Sequence, residues 1–131
     1  MEWITNGFHD NEEAINWANG FGEFLSQDVK KFNNKTNKNE IIRAKLSTNQ
    51  IRKFFGELKL IQAKGFEEGR IMDFKMLVPK LAYAVGKDTS RDGKIKEFYI
   101  ELSAAISVVQ TKEHFNNLVR ILEAIVAYHK Y

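Results

Sequence analysis

"FKMLVPKLAYAVGK", Phe74 to Lys87, is the stretch whose reading decides the fold. Phe74, Leu77, Val78, Leu81, Ala82 and Val85 recur at intervals of three and four residues, the spacing of one helical face, and the pattern runs straight through Pro79. Proline lacks the amide donor and clashes with the carbonyl of the preceding turn. The stretch therefore reads as a helix kinked near Pro79, or as one that restarts with Pro79 in its first turn. Gly86 stands where a C-cap glycine is expected.

The same period extends in both directions. A first helix is expected from near Asp10, an N-cap candidate with Glu13 three residues on, with Ala14, Ile15, Ala18, Phe21 and Leu25 on its buried face and Gly20 and Gly22 as possible bends. Ser47 or Thr48 caps a helix whose stripe is Ile51, Phe54, Phe55, Leu58 and Ile61. Gly65 and Gly69 mark a turn. Ile95, Phe98, Leu102, Ala105, Ile106 and Val109 define another helix. A last one, capped by Thr111, uses Phe115, Leu118, Val119, Leu122, Ile125 and Val126. Between the first two helices, "KKFNNKTNKNEIIRAK" reads as an exposed, mobile connector because of its asparagines and lysines. The expected fold is all-α, a compact bundle of five to six helices with one helix kinked or restarted near Pro79.

Composition agrees. A chain of 131 residues, 44% hydrophobic and 28% charged, supports one core, so residues 1–131 are expected to form a single helical domain. The absence of cysteine excludes disulfides and thiolate chemistry. "MEWITNGFHDNEE" has no basic region followed by an apolar run, and no apolar stretch approaches the roughly 18 residues of a membrane span. A cytoplasmic protein with no membrane partner is expected.

No stretch passes as a catalytic or metal site. In "GKDTSRDGKIKEF", Asp88, Ser90, Asp92 and Gly93 match positions 1, 3, 5 and 6 of a calcium loop, but position 12 is Tyr99 in place of the bidentate glutamate. Gly86 and Gly93 do not have phosphate-loop spacing and follow no strand. His9, His114 and His129 are scattered, Glu67 and Glu68 are adjacent and diverge on a helix, and Ser103 and Ser107 lack a nucleophile context. Catalytic residues, metal ligands and cofactors are therefore expected to be absent.

Charge is unevenly placed. Residues 1–29 hold six acidic residues and no Lys or Arg, and residues 30–64 hold ten basic and two acidic ones, so −6 is followed by +8. The pattern fits a polyanion partner, a head-to-tail contact between copies, or mutual neutralisation within one fold. Arg43, Lys45, Arg52, Lys53, Lys59, Lys80, Lys87, Arg91, Lys94 and Lys96 interleave with the apolar stripes and could gather on one face that follows a phosphate backbone without reading sequence.

"LSTNQIRKFFGEL" (46–58), "FKMLVPKLAYAVGK" (74–87) and "LEAIVAYHK" (122–130), in this order and spacing, resemble the small subunit of the type III-A CRISPR effector, the Csm complex. Charge divides off an acidic part, 1–29, and a basic connector, 30–45, and the resemblance covers a family-like region, 46–130. It implies a small helical protein without catalytic activity, present in more than one copy. Such copies stack as a filament along the guide RNA/target RNA duplex beside the other subunits. By position in the matching motifs it implies RNA contact at Arg52, Lys53, Lys80 and Lys87. Arg43, Lys45 and Arg91 join them by charge and proximity. The rival reading is a protein–protein adaptor subunit with no direct RNA contact; a metal-dependent nuclease lacks the clusters it needs. Tyr83, Tyr99 and Tyr128 could stack on bases, but at apolar helical spacing they are expected in or at the edge of the core. The acidic N-terminal part is expected to meet a basic surface of a neighbouring copy or subunit.

Overall fold

The computed structural model describes residues 3–4, 12–42, 45–67, 71–88 and 93–129. In chain order these form α1 (Glu13–Leu25), β1 (Val29–Asn33), β2 (Lys38–Ile42), α2 (Thr48–Lys64), α3 (Ile71–Lys75), α4 (Leu77–Lys87), α5 (Ile95–Ser107) and α6 (Lys112–His129). No helix among the described residues is long and apolar enough to cross a membrane.

Local chemistry sets the helix limits. Ser47 accepts from the Gln50 amide while the Gln50 side chain accepts from the Ser47 amide, a complete capping box at the start of α2. Gly65 closes α2 at φ 91°, a conformation that costs glycine little. Thr111 Oγ1 accepts from the His114 amide at 3.1 Å, as expected of an N-cap, and His114 Nδ1 accepts in turn from the Gln110 amide. The expected break at Pro79 is a restart: α3 ends at Lys75, Met76 is a turn residue, and Pro79 lies in the first turn of α4, where a missing amide disturbs the ladder least. Gly86 is not the C-cap. It lies inside α4, and Asp88, at φ −72° and ψ 117°, takes the chain out of the helix. Asp10 lies outside the described residues, and Glu12, which precedes α1, makes no side-chain capping bond.

The core follows the predicted stripes. Ile51, Phe54 and Leu58 of α2, Phe74, Leu77 and Leu81 of α3 and α4, every predicted apolar position from Ile95 to Val109, and Phe115, Leu118, Val119, Leu122 and Ile125 of α6 are buried together. Phe66, Phe74 and Phe115 form an aromatic cluster with centroids 4.6 to 5.4 Å apart. On α1 the buried seam is Ala14, Ala18, Gly22 and Leu25, and Ile15 turns out to be exposed. Gly22 explains the difference. A Cβ there would meet the Ile125 carbonyl at 2.7 Å and the His129 amide at 2.9 Å, so α1 and α6 approach along the side that carries the smallest residue.

Residues 29–42 depart from the all-α expectation. The stretch read as a connector is an antiparallel hairpin, paired from Val29↔Ile42 to Asn33↔Lys38. Its turn is built by asparagine: the Asn33 carboxamide accepts from the Lys35 amide, the Asn33 carbonyl accepts from the Asn37 amide, and Asn37 sits at φ 58°. The expectation of exposure holds, because the strands pair with each other and stand away from the helices. Where the chain returns to the bundle, the Leu46 amide donates to the Leu25 carbonyl, and the Leu46 carbonyl accepts from His129 Nε2 at 2.6 Å.

Candidate nucleic-acid interface

α2 packs against α6 and α4 packs against α5, and the two pairs leave a groove of about 660 Å³ between α2 and α4. Its floor is apolar: Leu46, Phe54, Leu81, Ile95 and Phe98 reach it, with the Phe54 and Phe98 rings edge to face at 5.5 Å. Its rim is basic. Lys53 comes from α2, and Lys80 and Lys87 from α4, all three exposed.

Helical spacing puts these groups there. Lys80, Tyr83 and Lys87 fall at i, i+3 and i+7 on α4, so a single face carries two ammonium groups with a ring between them. The Lys87 ammonium lies 5.1 Å from the centre of the Tyr83 ring. Tyr83 is 68% exposed, which corrects its placement at the core: it lines the groove with most of its side chain in solvent. Tyr99, by contrast, packs on the core as expected. The Lys80 ammonium is 3.9 Å from a Glu57 carboxylate across the groove, both at the surface. An exposed pair at that distance holds weakly, about 0–1 kcal/mol, so an incoming phosphate can displace it at little cost.

The remaining predicted residues do not converge. Arg52 is exposed on α2, but it points away from the groove that its neighbour Lys53 lines. Lys45 is exposed beside Leu46, and its amide donates to Asp28 Oδ1. Arg43 and Arg91 lie outside the described residues. Gln50 also lines the groove, although its sequence role is that of the capping-box partner. Tyr83 was legible as the residue between Lys80 and Lys87 on the polar side of α4, a pattern masked by treating its apolar neighbours as one stripe.

Lys94 leaves the basic surface altogether. It is 6% exposed, donates to the Phe24 carbonyl at 2.8 Å and lies 3.7 Å from the centre of the Phe24 ring, so it ties α5 to the C-terminal end of α1. Burial pulls its pKa down, against the opposing pull of the Asp28 and Glu97 carboxylates. Ser90 and Asp92 of the calcium-loop pattern lie outside the described residues. Among the described residues no three His, Asp or Glu side chains stand close enough to hold a metal ion.

A family model described as Csm2 Type III-A matches residues 18–131, taking in the groove and every helix from the middle of α1 onward. The chain belongs to the Csm2 family. It is therefore a small subunit of the type III-A Csm effector complex. The Csm2 match reaches further toward the N-terminus than the motifs legible in the sequence, which begin at Leu46, and it includes the hairpin. No curated protein and no solved structure matches this Csm2-family chain.

Proposed function

We propose that this subunit is non-catalytic and holds the guide RNA/target RNA along its backbone, in the cytoplasm, as one of several copies in the inner filament of the effector complex. The convergence of Lys53, Lys80 and Lys87 on one groove carries the reading. Three flexible ammonium groups contact phosphates without selecting bases, and the ring of Tyr83 adds an apolar surface against which a sugar or base can lie. Arg52 and Lys45 extend the basic surface beyond the groove, and cleavage falls to other subunits. Binding by the isolated chain is weak and indifferent to sequence.

Titration of the full chain with a labelled guide–target duplex at rising salt tests this. With about four phosphates neutralised, log affinity falls against log salt with a slope of magnitude roughly three to four. Replacing Lys53, Lys80 and Lys87 together by Ala reduces that magnitude by about two to three. A flat salt response, or a strong preference for one sequence, contradicts the reading.

The apolar floor of the groove favours a second reading, a protein–protein adaptor whose partner lays an apolar helix face between α2 and α4. An adaptor keeps RNA protection in the assembled complex after the triple lysine replacement. A subunit that grips RNA loses it.

A further inference from the structure

We propose that the β1–β2 hairpin is a second, separate RNA-contacting element, which takes single-stranded nucleotides by stacking a base on Phe32 and placing phosphates against Lys30, Lys35 and Lys38. The proposal rests on the RNA-binding reading above but uses none of the groove residues.

The pairing register puts Lys30 and Phe32 of β1 on the same face as Asn39 and Ile41 of β2, because Phe32 is opposite Asn39 and Lys30 is opposite Ile41. Phe32 is 56% exposed and Ile41 67%, an aromatic and an aliphatic side chain held in water on a ribbon that the helices do not cover. The hairpin's acidic residue, Glu40, belongs to the opposite face, where it accepts from the Asn33 carboxamide at 2.7 Å. The face bearing Phe32 thus carries no negative charge. Lys35 lies in the turn, and Lys38, opposite Asn33, lies on the Glu40 face at the turn end of the ribbon; both are exposed and add charge there, and none of Lys30, Lys35 and Lys38 is paired with an acid among the described residues.

The chemistry selects the partner. Protein-binding patches are depleted in lysine, and lysines on a strand edge discourage another strand from pairing there. An exposed ring with one lysine beside it on the same face and further lysines at the turn is instead what single-stranded nucleic acid requires, a π-surface for a base and mobile charges for the backbone before and after it. Residues two apart on one strand are about 7 Å apart, so Lys30 reaches a phosphate next to the base stacked on Phe32.

Fluorescence anisotropy of the full chain with a labelled single-stranded oligouridylate, from about 50 to about 200 mM salt, tests the proposal. Phe32→Ala is expected to weaken binding roughly 5- to 150-fold with the salt slope unchanged, and Phe32→Trp to restore it. Joint replacement of Lys30, Lys35 and Lys38 by Ala lowers the slope by about two. Circular dichroism checks that helix content is kept. If both hairpin variants bind like the parent, or if only the lysine variant weakens and the stacking contact is therefore missing, the proposal is overturned. The Lys53/Lys80/Lys87 variant, run in parallel, separates the two readings. Loss there alone keeps the groove and rejects the hairpin, and loss in the hairpin variants alone does the reverse. No measurable binding of the oligouridylate by the parent chain at low salt rejects the hairpin proposal, and the duplex titration decides the groove separately.

Discussion

The Lys94 ammonium lies against the carbonyl and ring of Phe24, a residue 70 positions earlier in the chain. Sequence counts it with its neighbours as a surface charge, since nothing nearby in the chain shows that Phe24 will cover it. The consequence for stability has a definite sign. Burial lowers the folded-state pKa below 10.5, so between the lowered value and 10.5 the unfolded chain binds more protons than the folded one. Stability from this group therefore rises with pH through that window, and its destabilising contribution is fully present below it. Urea midpoints of the parent and of Lys94→Met, measured from neutral pH toward 10.5, should show the parent gaining on the variant as pH rises. A constant or shrinking difference contradicts the assignment. Tyr83 is the converse case. Its spacing resembles that of a core residue, yet it opens onto the groove that lies between α2 and α4.

Among the elements, α1 shows where spacing is informative and where it misleads. Gly20 and Gly22 look equivalent as helix breakers, but α1 runs unbroken through both. Gly22 is held against α6, so Gly22→Ala is expected to destabilise by about 1–3 kcal/mol through overpacking, in spite of alanine's better helix propensity. A Cβ added at Gly20 would meet no atom within 4 Å, so Gly20→Ala is expected to stabilise by about 0.5–1 kcal/mol. Thermal or urea unfolding of the pair checks the contrast, and equal effects would contradict the α1–α6 contact as described. The hairpin was illegible for a different reason. Its strands lack clear alternation and its turn lacks glycine, so only Asn33 and Asn37, used for their side-chain and left-handed geometries, carry the signal.

Across the whole molecule the charge asymmetry persists on the surface. Glu12, just before α1, and Glu23, on α1, are exposed, and the basic groove lies between α2 and α4. In a filament of repeated copies, a head-to-tail contact places different surfaces of successive copies together, which allows acidic α1 to face a basic neighbour. Reversing Glu12, Glu13 and Glu23 to Lys is expected to reduce recovery of the assembled complex at low salt, measured by co-purification with the other subunits and a guide RNA. Unchanged assembly removes that role from α1. The helical spans, the stripes that fill the core, the cap at Thr111 and the placing of the α2 cap at Ser47 or Thr48 were determined by the sequence alone, because each depends on residues within a turn or two of one another. Tertiary structure decided the rest. Which cations remain at the surface, which lysines share a groove and how closely α1 approaches α6 depend on residues distant in the chain, and periodicity within one helix holds no information about its neighbours.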